Sequence, residues 1–185
     1  MGYQEHSEDL LILVDSNDEE TGQLSKAECH QGNGTLHRAF SAFLFNDKGE
    51  LLLQQRSGNK PLWPLIWANS CCSHPRAGES TDAAAVRRVK EELGLDVSLE
   101  YLFKFEYHAQ YDASGAEHEL CWVFAGHFDG MPEVDPEEVA DWRFISPDDL
   151  TDEIMNNPGI YSPWLKIEWE RIRAEFLDKI LNKAA

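Results

Sequence analysis

The sequence predicts an α/β (α+β) sandwich, a single domain in which helices cover a sheet of mixed strands. Three observations predict this class. A chain of 185 residues is long enough for one domain with a buried core. Short apolar and aromatic runs between turn residues recur along it and predict strands. Two longer segments carry an apolar residue every three or four positions and predict helices.

Strands dominate the first third of the chain. Residues 1–9 are polar and predict a loose, flexible tail, so we assign the folded domain to residues 10–185. The apolar run Leu10–Val14 predicts a short strand, and turn residues follow it. Residues 36–45 and 51–55 are apolar on either side of the break Asn-Asp-Lys-Gly, which predicts a β-hairpin.

The central helix is predicted within residues 78–95, after a loop rich in Trp and Pro at residues 57–77. Ser80 or Thr81 can cap its first turn, and Gly94 ends it. Four positions give the helical period: Ala83, Val86, Val89 (or Lys90) and Leu93. Further strands are predicted at residues 97–107, 120–127 and 142–145.

A second helix is predicted near the C-terminal end of the chain. Ser162 and Pro163 can start it. One apolar stripe then runs along it, formed by Leu165, Trp169, Ile172, Phe176 and Ile180. Strands gathered round the central helix and closed by this terminal helix give the sandwich arrangement.

The composition excludes several classes of protein. A formal net charge of −18 argues against general nucleic-acid binding, although a local cluster of Arg and Lys can still bind a small anion. The apolar run Leu10–Val14 is too short for a signal peptide or a membrane span. A cytoplasmic protein with reduced thiols is expected, because the four cysteines lack CxxC spacing: Cys29, Cys71, Cys72 and Cys121. Monomer and homodimer both remain open.

Two arginines and two glutamates crowd the last turns of the central helix. Arg87 and Glu91 share one helix face, as do Arg88 and Glu92, so ion pairs between them are geometrically natural. A glutamate facing a cleft could instead hold Mg²⁺, which takes one or two protein carboxylates and completes its octahedron with diphosphate oxygens and water. Spacing alone does not decide between these two interpretations.

Histidine, cysteine and glutamate recur in three separate places. These are Lys-Ala-Glu-Cys-His at residues 26–30 with His37, Asn-Ser-Cys-Cys-Ser-His-Pro at residues 69–75, and Tyr107 with Glu-His-Glu at residues 117–119. On an extended strand Glu117 and Glu119 point to the same side, as do Cys72 and His74. Half-buried carboxylates on one face repel each other unless a cation lies between them. Three imidazoles and two carboxylates suit Mn²⁺, Zn²⁺ or Mg²⁺.

The central helix resembles the Nudix box, through Glu79 and the pattern Arg-x-x-x-Glu-Glu-x-Gly-Leu at residues 87–95. Ser73 stands where that box usually opens with glycine, and Arg88 stands where hydrolases carry a glutamate. The missing carboxylate disfavours hydrolysis and fits the isomerase branch of the superfamily. With the cysteine–histidine motif, the Glu-x-Glu motif and a late Ser-Pro-Trp, residues from about 10 to 164 resemble the type I isopentenyl diphosphate isomerases.

This resemblance implies a Nudix-type α/β/α sandwich and a role for each matching residue. One divalent metal would be ligated by His30, His37, His74, Glu117 and Glu119. A second ion, Mg²⁺, would be held by Glu92 together with the substrate diphosphate, which would contact Lys26, Arg56, Lys60 and Arg88. Proton transfer would fall to Cys72, Glu119 and Tyr107, and Trp164 would face the hydrocarbon.

These residue types suit the reaction that the resemblance implies. Interconversion of isopentenyl and dimethylallyl diphosphate moves a double bond from the 3,4 to the 2,3 position, so one proton is added and another removed. An alkene is a poor base, and a well-placed acid and base are therefore needed. Cys72 and the Glu119–Tyr107 pair could take these two positions, in an order that the sequence leaves open. The aromatic face of Trp164 could stabilise a carbocation by about 2 kcal/mol.

Two other functions fit parts of the sequence. A Nudix hydrolase of a nucleoside or prenyl diphosphate would explain the box, but it would give Cys72, Glu119 and the three histidines no role. A catalytically inactive Nudix-fold binding module would predict an eroded site, whereas every matched position holds a chemically competent residue. The isomerase is therefore the preferred prediction.

Overall fold

The computed structural model describes residues 9–182, so the tail predicted at residues 1–9 lies, except for Asp9, outside the described residues. The strands are β1 (Leu10–Val14), β2 (Glu20–Ser25), β3 (His37–Phe45), β4 (Leu51–Arg56), β5 (Trp67–Ala68), β6 (Cys71–Ser73), β7 (Leu99–Asp112), β8 (Gly115–His127) and β9 (Val139–Ile145). The helices are α1 (Lys26–Cys29), α2 (Thr81–Leu93), α3 (Pro147–Asn156), α4 (Pro163–Glu175) and α5 (Leu177–Leu181), with a 3₁₀ turn at Pro158–Ile160. No helix in the described part of the chain is long and apolar enough to cross a membrane.

The strands form one mixed sheet with β3 at its centre. β3 runs parallel to β8 over its whole length, with His37 opposite Glu119 and Phe45 opposite His127. The other pairings of named strands are antiparallel, including the predicted β3–β4 hairpin, in which Phe45 faces Leu51. A parallel central strand is covered on both faces, which explains why β3 is almost continuously apolar and buried.

The alternation of side chains along β3 builds two cores. Phe43 and Phe45 belong to the core that contains Trp169 of α4 and Ile180 of α5. Phe40, Ala42 and Leu44 point to the opposite face, into the core that contains the apolar residues of α2. Helices therefore cover both faces of the sheet, which confirms the predicted α/β/α sandwich.

The face that α2 buries differs from the predicted one. Ser80 caps the helix by accepting a hydrogen bond from the Ala83 amide, and Gly94 ends it at φ 69°. Ala83 and Val86, however, are exposed, Val86 by 42%, so the predicted apolar period is wrong at these two positions. The helix is rotated because Arg88 and Glu92 are buried as an ion pair, and an apolar pattern cannot anticipate inward-facing charges.

The remaining predictions hold with different boundaries. The strands predicted at residues 97–107, 120–127 and 142–145 are longer, as β7, β8 and β9. The loop at residues 57–77 contains the two short strands β5 and β6. The terminal helix starts after the Ser162 cap as predicted, but it breaks at Phe176 (φ −127°, ψ −23°) into α4 and α5.

Candidate active site

Five predicted metal ligands converge in the structure, although they come from four places in the chain. The ligand atoms of His30, His37, His74, Glu117 and Glu119 all lie within 4.8 Å of one another. His30 ends α1, His37 opens β3 and His74 follows β6. Both carboxylates come from β8, where residues two apart share a face of the strand.

Each carboxylate faces imidazole nitrogens. Glu117 Oε2 lies 2.9 Å from His30 Nε2, and Glu119 Oε1 lies 2.8 Å from His74 Nε2 and 3.7 Å from His37 Nε2. The Nδ1 atoms of His30 and His37 contact the backbone oxygens of residues 26 and 35 at 2.6 and 2.7 Å. A carbonyl at Nδ1 holds a proton there, so Nε2 is the nitrogen that a metal ion in the cluster could take.

The cluster fits a divalent cation on its own chemistry. His37 Nε2 is buried and lacks a hydrogen-bond partner among the described residues. Burial, together with the charge of His30, lowers the pKa of His37 to about 4, and burial lowers that of His74 as well. Neutral imidazoles are the form that ligates metals. Burial raises the pKa of Glu119, and the adjacent charge of Glu117 adds to this, which is the repulsion that a cation would relieve.

Glu119 also belongs to the predicted proton-transfer group. Tyr107 Oη donates a hydrogen bond of 2.6 Å to Glu119 Oε2, while Oε1 of the same carboxylate faces the histidines. The contact follows from the β7–β8 register, which sets these two residues opposite each other. A proton on this carboxylate therefore responds both to the phenol and to any ion in the cluster.

Cys72, on β6, lines the same cavity. Its thiol is half-buried and points to the amide oxygen of Asn69 at 3.4 Å. Burial raises the pKa of Cys72, so the thiol is neutral. Cys71, its neighbour, is fully buried in the core beneath α2, so the strand alternation itself selects Cys72 as the thiol that faces the cavity.

The cavity has a volume of about 790 Å³ and is lined by most of the predicted site residues. Its lining includes four residues of the metal cluster (His30, His74, Glu117 and Glu119) together with Cys72, Tyr107 and Trp164. The predicted basic residues that line it are Lys26, Arg56 and Lys60. Basic side chains and aromatic ones in the same cavity are what a small hydrocarbon diphosphate requires.

Arg56 has a partly structural role that the sequence did not reveal. Its Nε and Nη2 donate to the backbone oxygens of Trp63 and Leu62, at 3.0 and 2.9 Å. Its guanidinium carbon also lies 5.3 Å from the centre of the Trp164 ring. Arg56 therefore holds the loop that forms one wall of the cavity while it presents a cation to the interior.

Arg88 and Glu92, the other residues predicted to interact with the diphosphate, are buried beneath the lining of the cavity. Arg88 and Glu92 are each 3% exposed, and Arg88 Nη2 contacts Glu92 Oε1 at 2.7 Å. The same Nη2 contacts Glu138 Oε1 at 2.8 Å, and Glu138 also pairs with Lys60. Gln54 donates to the second oxygen of Glu92 at 3.2 Å.

Glu138 is a residue of the candidate site that the sequence analysis missed. It lines the cavity, and its carboxylate joins two of the cations predicted to bind the diphosphate, Lys60 and Arg88. Burial opposes its ionisation, but these two cations lower its pKa to about 2, so Glu138 is an anion. No periodicity marks it, because it lies in an acidic turn between β8 and β9.

Comparisons with known proteins identify the class first. Residues 35–165 match the model of the NUDIX domain. A Deinococcus radiodurans protein, DR0079, shares the fold with a TM-score of 0.69 at 21% identity, over 93% of this chain and 99% of that one. A MutT protein from Methanosarcina mazei has a TM-score of 0.65 at 18% identity, over 76% and 94% of the two chains. Fold and domain together define a Nudix-domain protein.

Relatives with similar sequences show which family of Nudix-domain proteins the chain belongs to. An isopentenyl-diphosphate Delta-isomerase 1 of Photorhabdus laumondii is 43% identical over 172 residues, which cover 92% of this chain and 98% of the relative. An isopentenyl-diphosphate Delta-isomerase of Serratia proteamaculans is 42% identical, over 96% of this chain and 99% of the relative. The chain belongs to the isopentenyl-diphosphate Delta-isomerase family.

Proposed function

We propose that the chain interconverts isopentenyl diphosphate and dimethylallyl diphosphate, and that Cys72 and the Glu119–Tyr107 pair transfer the protons. The observation that carries this assignment is the single cavity that these three side chains line together with Trp164. A thiol on one element and a carboxylate bonded to a phenol on another supply an acid and a base to one small substrate. The name of the relatives supports the same reaction.

The reaction balances with one proton added and one removed. Addition at C4 uses the electron pair of the 3,4 double bond and leaves a positive charge at the tertiary C3. Loss of a proton from C2 returns an electron pair and forms the 2,3 double bond. The donor and the acceptor are exchanged in the reverse direction, so each of the two positions needs a group that can both give and accept a proton.

Trp164 supports the positive intermediate in this proposal. Its side chain lines the cavity, and the Arg56 guanidinium lies 5.3 Å from the ring centre, so the ring already accommodates a cation. A desolvated cation–π contact contributes about 2 kcal/mol. Trp63 packs edge-on against the same ring at 5.5 Å and helps to keep water from the hydrocarbon end.

We assign one divalent ion to the five-residue cluster of histidines and glutamates, as Mn²⁺, Zn²⁺ or Mg²⁺. When bound, the ion would neutralise the two carboxylates and lower the proton affinity of Glu119. A second ion, Mg²⁺, is assigned to Glu92 and the substrate diphosphate. Because both oxygens of Glu92 are hydrogen-bonded, to Arg88 and Gln54, this ion has to share the carboxylate with them.

The diphosphate itself is assigned to the cationic end of the cavity. Lys26, Arg56 and Lys60 line it, and Arg88 is reached through Glu138. Two or three such cations and one Mg²⁺ match the charge of a diphosphate. A cytoplasmic location is part of the proposal and rests on the cysteine pattern of the sequence.

The test is incubation of the purified protein with isopentenyl diphosphate and Mg²⁺ in D₂O, followed by NMR. We expect dimethylallyl diphosphate that carries deuterium, with no release of phosphate. Release of phosphate or of a monophosphate would replace the proposal by hydrolysis of the diphosphate. An unchanged substrate with each of the three divalent ions would indicate a binding module instead.

A further inference from the structure

A buried amide, Asn69, lies behind the proposed reacting groups. It occupies the turn between β5 and β6 and is 0% exposed. Its Nδ2 donates to the backbone oxygens of Ala42 and Cys71, at 3.2 and 3.0 Å. Two carbonyls on the nitrogen side fix the orientation of the amide, because a flipped amide would set oxygen against oxygen.

The oxygen of this amide accepts from two side chains that line the cavity. Cys72 Sγ donates to Asn69 Oδ1 at 3.4 Å, and Trp164 Nε1 donates to the same oxygen at 3.2 Å. The thiol belongs to β6 and the indole to the first turn of α4, so Asn69 joins two elements that are distant in the sequence. All four hydrogen-bonding positions of the amide are thereby used.

We propose that Asn69 is a positioning residue that fixes the Cys72 thiol and the Trp164 ring relative to each other, and so aims both at the same five-carbon unit. The inference rests on the proposed isomerase function. A cysteine side chain turns about a single bond, and the indole of Trp164 has one polar atom. A shared acceptor therefore sets both the direction of the thiol and the tilt of the ring.

Loss of Asn69 Oδ1 has two expected effects. The indole N–H of Trp164, which is 3% exposed, would lose its acceptor, and the thiol would be free to rotate. Lys26 and Lys60 should keep their positions, because the hydrogen bonds of the Asn69 side chain in the described structure go to Ala42, Cys71, Cys72 and Trp164. Arg56 contacts the Trp164 ring but is held separately by the backbone oxygens of Leu62 and Trp63. Misplacement of a reacting group by about 1 Å lowers turnover on the order of 100-fold.

The experiment compares Asn69→Ala with Ser70→Ala. Ser70 is the adjacent residue and is equally buried, but its hydroxyl bonds only backbone groups, the oxygen of Leu52 at 2.6 Å and the nitrogen of Leu44 at 2.8 Å. We expect Asn69→Ala to lower kcat about 100-fold per folded protein, with KM for isopentenyl diphosphate changed by less than about threefold. Ser70→Ala should keep the kcat of the unmodified protein.

A second measurement does not depend on turnover. Cys72 is half-buried whereas the other three cysteines are buried, so slow alkylation by iodoacetamide reports on its thiol. Asn69→Ala should change the alkylation rate several-fold, and Ser70→Ala should not. If Asn69→Ala does not fold, Asn69→Ser replaces it. Trp164→Phe removes one of the two donors to Asn69 Oδ1, the indole N–H, and should also change the alkylation rate of Cys72.

The outcomes are separable. Equal kcat and equal alkylation rates in the Asn69 and Ser70 variants would overturn the positioning role. An unmodified protein without isomerase activity would overturn the proposed function instead, while the alkylation rates would still test the contact between Asn69 and Cys72.

Discussion

Glu168 is a buried acid that the proposed reaction does not use, and it should weaken the fold at neutral pH. It lies on α4, one turn after Trp164, and is 0% exposed. Cys121 Sγ donates to its Oε1 at 3.5 Å, and Oε2 has no partner among the described residues. Burial raises the pKa of Glu168 to about 8, and hydrogen bonds of Ser41 and Cys121 oppose this with smaller effects.

The direction in which the free energy of unfolding changes with pH follows from proton binding. Between pH 4.5, the ordinary value for glutamate, and pH 8, the unfolded chain releases a proton that the folded protein retains at Glu168. The free energy of unfolding therefore falls as the pH rises through this window. At 1.36 kcal/mol per pH unit, the penalty is about 3 kcal/mol at pH 7 and tends to about 5 kcal/mol above pH 8.

Glu168→Gln keeps the shape of the side chain and removes this penalty. We expect urea unfolding to give a gain of about 2–3 kcal/mol at pH 7, after allowance for an imperfect fit of the amide, and no gain at pH 4.5. Glu170→Gln is the matched control, since it removes an exposed glutamate from the same helix. A constant difference between Glu168→Gln and the unmodified protein from pH 4.5 to 8 would refute the reasoning.

Three further predictions concern the cavity. Cys72→Ala should reduce isomerisation at least about 100-fold in the NMR assay, with unchanged thermal unfolding and metal content; near-full activity would remove Cys72 from the proton transfer. Glu92→Gln should weaken the Mg²⁺-dependent binding of the diphosphate in calorimetric titration without loss of the metal at the histidine cluster. Loss of both metal ions in this variant would contradict the assignment of two separate metal sites. Glu138→Gln removes a carboxylate shared by Lys60 and Arg88 and should lower the free energy of unfolding in urea by about 2 kcal/mol; an unchanged value would mean that their other partners suffice.

The fold could be predicted to the level of class, but its central pairing could not. The apolar runs and the helical periods gave the sandwich and the β3–β4 hairpin. The parallel pairing of β3 with β8 links residues about 80 positions apart and leaves no local pattern. It is this pairing that sets His37 opposite Glu119. The residue types alone were compatible with a metal site, but only the family resemblance assigned these five ligands to one ion.

Buried charge explains where the prediction of the site fell short. Arg88 and Glu92 fit an exposed ion pair by their spacing, yet the structure buries them. Burial becomes tolerable because Glu138, from a distant turn, shares the guanidinium. Asn69 belongs to the motif at residues 69–75, but no role for it could be inferred from the sequence. Its oxygen accepts hydrogen bonds from Cys72 on β6 and Trp164 on α4, which come together only in the folded protein.

The glutamates of α2 and of the turn before it are already hydrogen-bonded to arginines. Glu79 accepts two hydrogen bonds of 2.8 Å from Arg87, Glu91 accepts from Arg87 and Arg88, and Glu92 accepts from Arg88. A helix that assembled several metal ions for hydrolysis would have to free these oxygens from two arginines. The unrelieved repulsion lies instead between the two carboxylates of β8, beside a neutral thiol and an aromatic ring. The carboxylates that need a cation therefore lie next to the groups proposed to transfer protons. For this reason isomerisation fits the site better than hydrolysis.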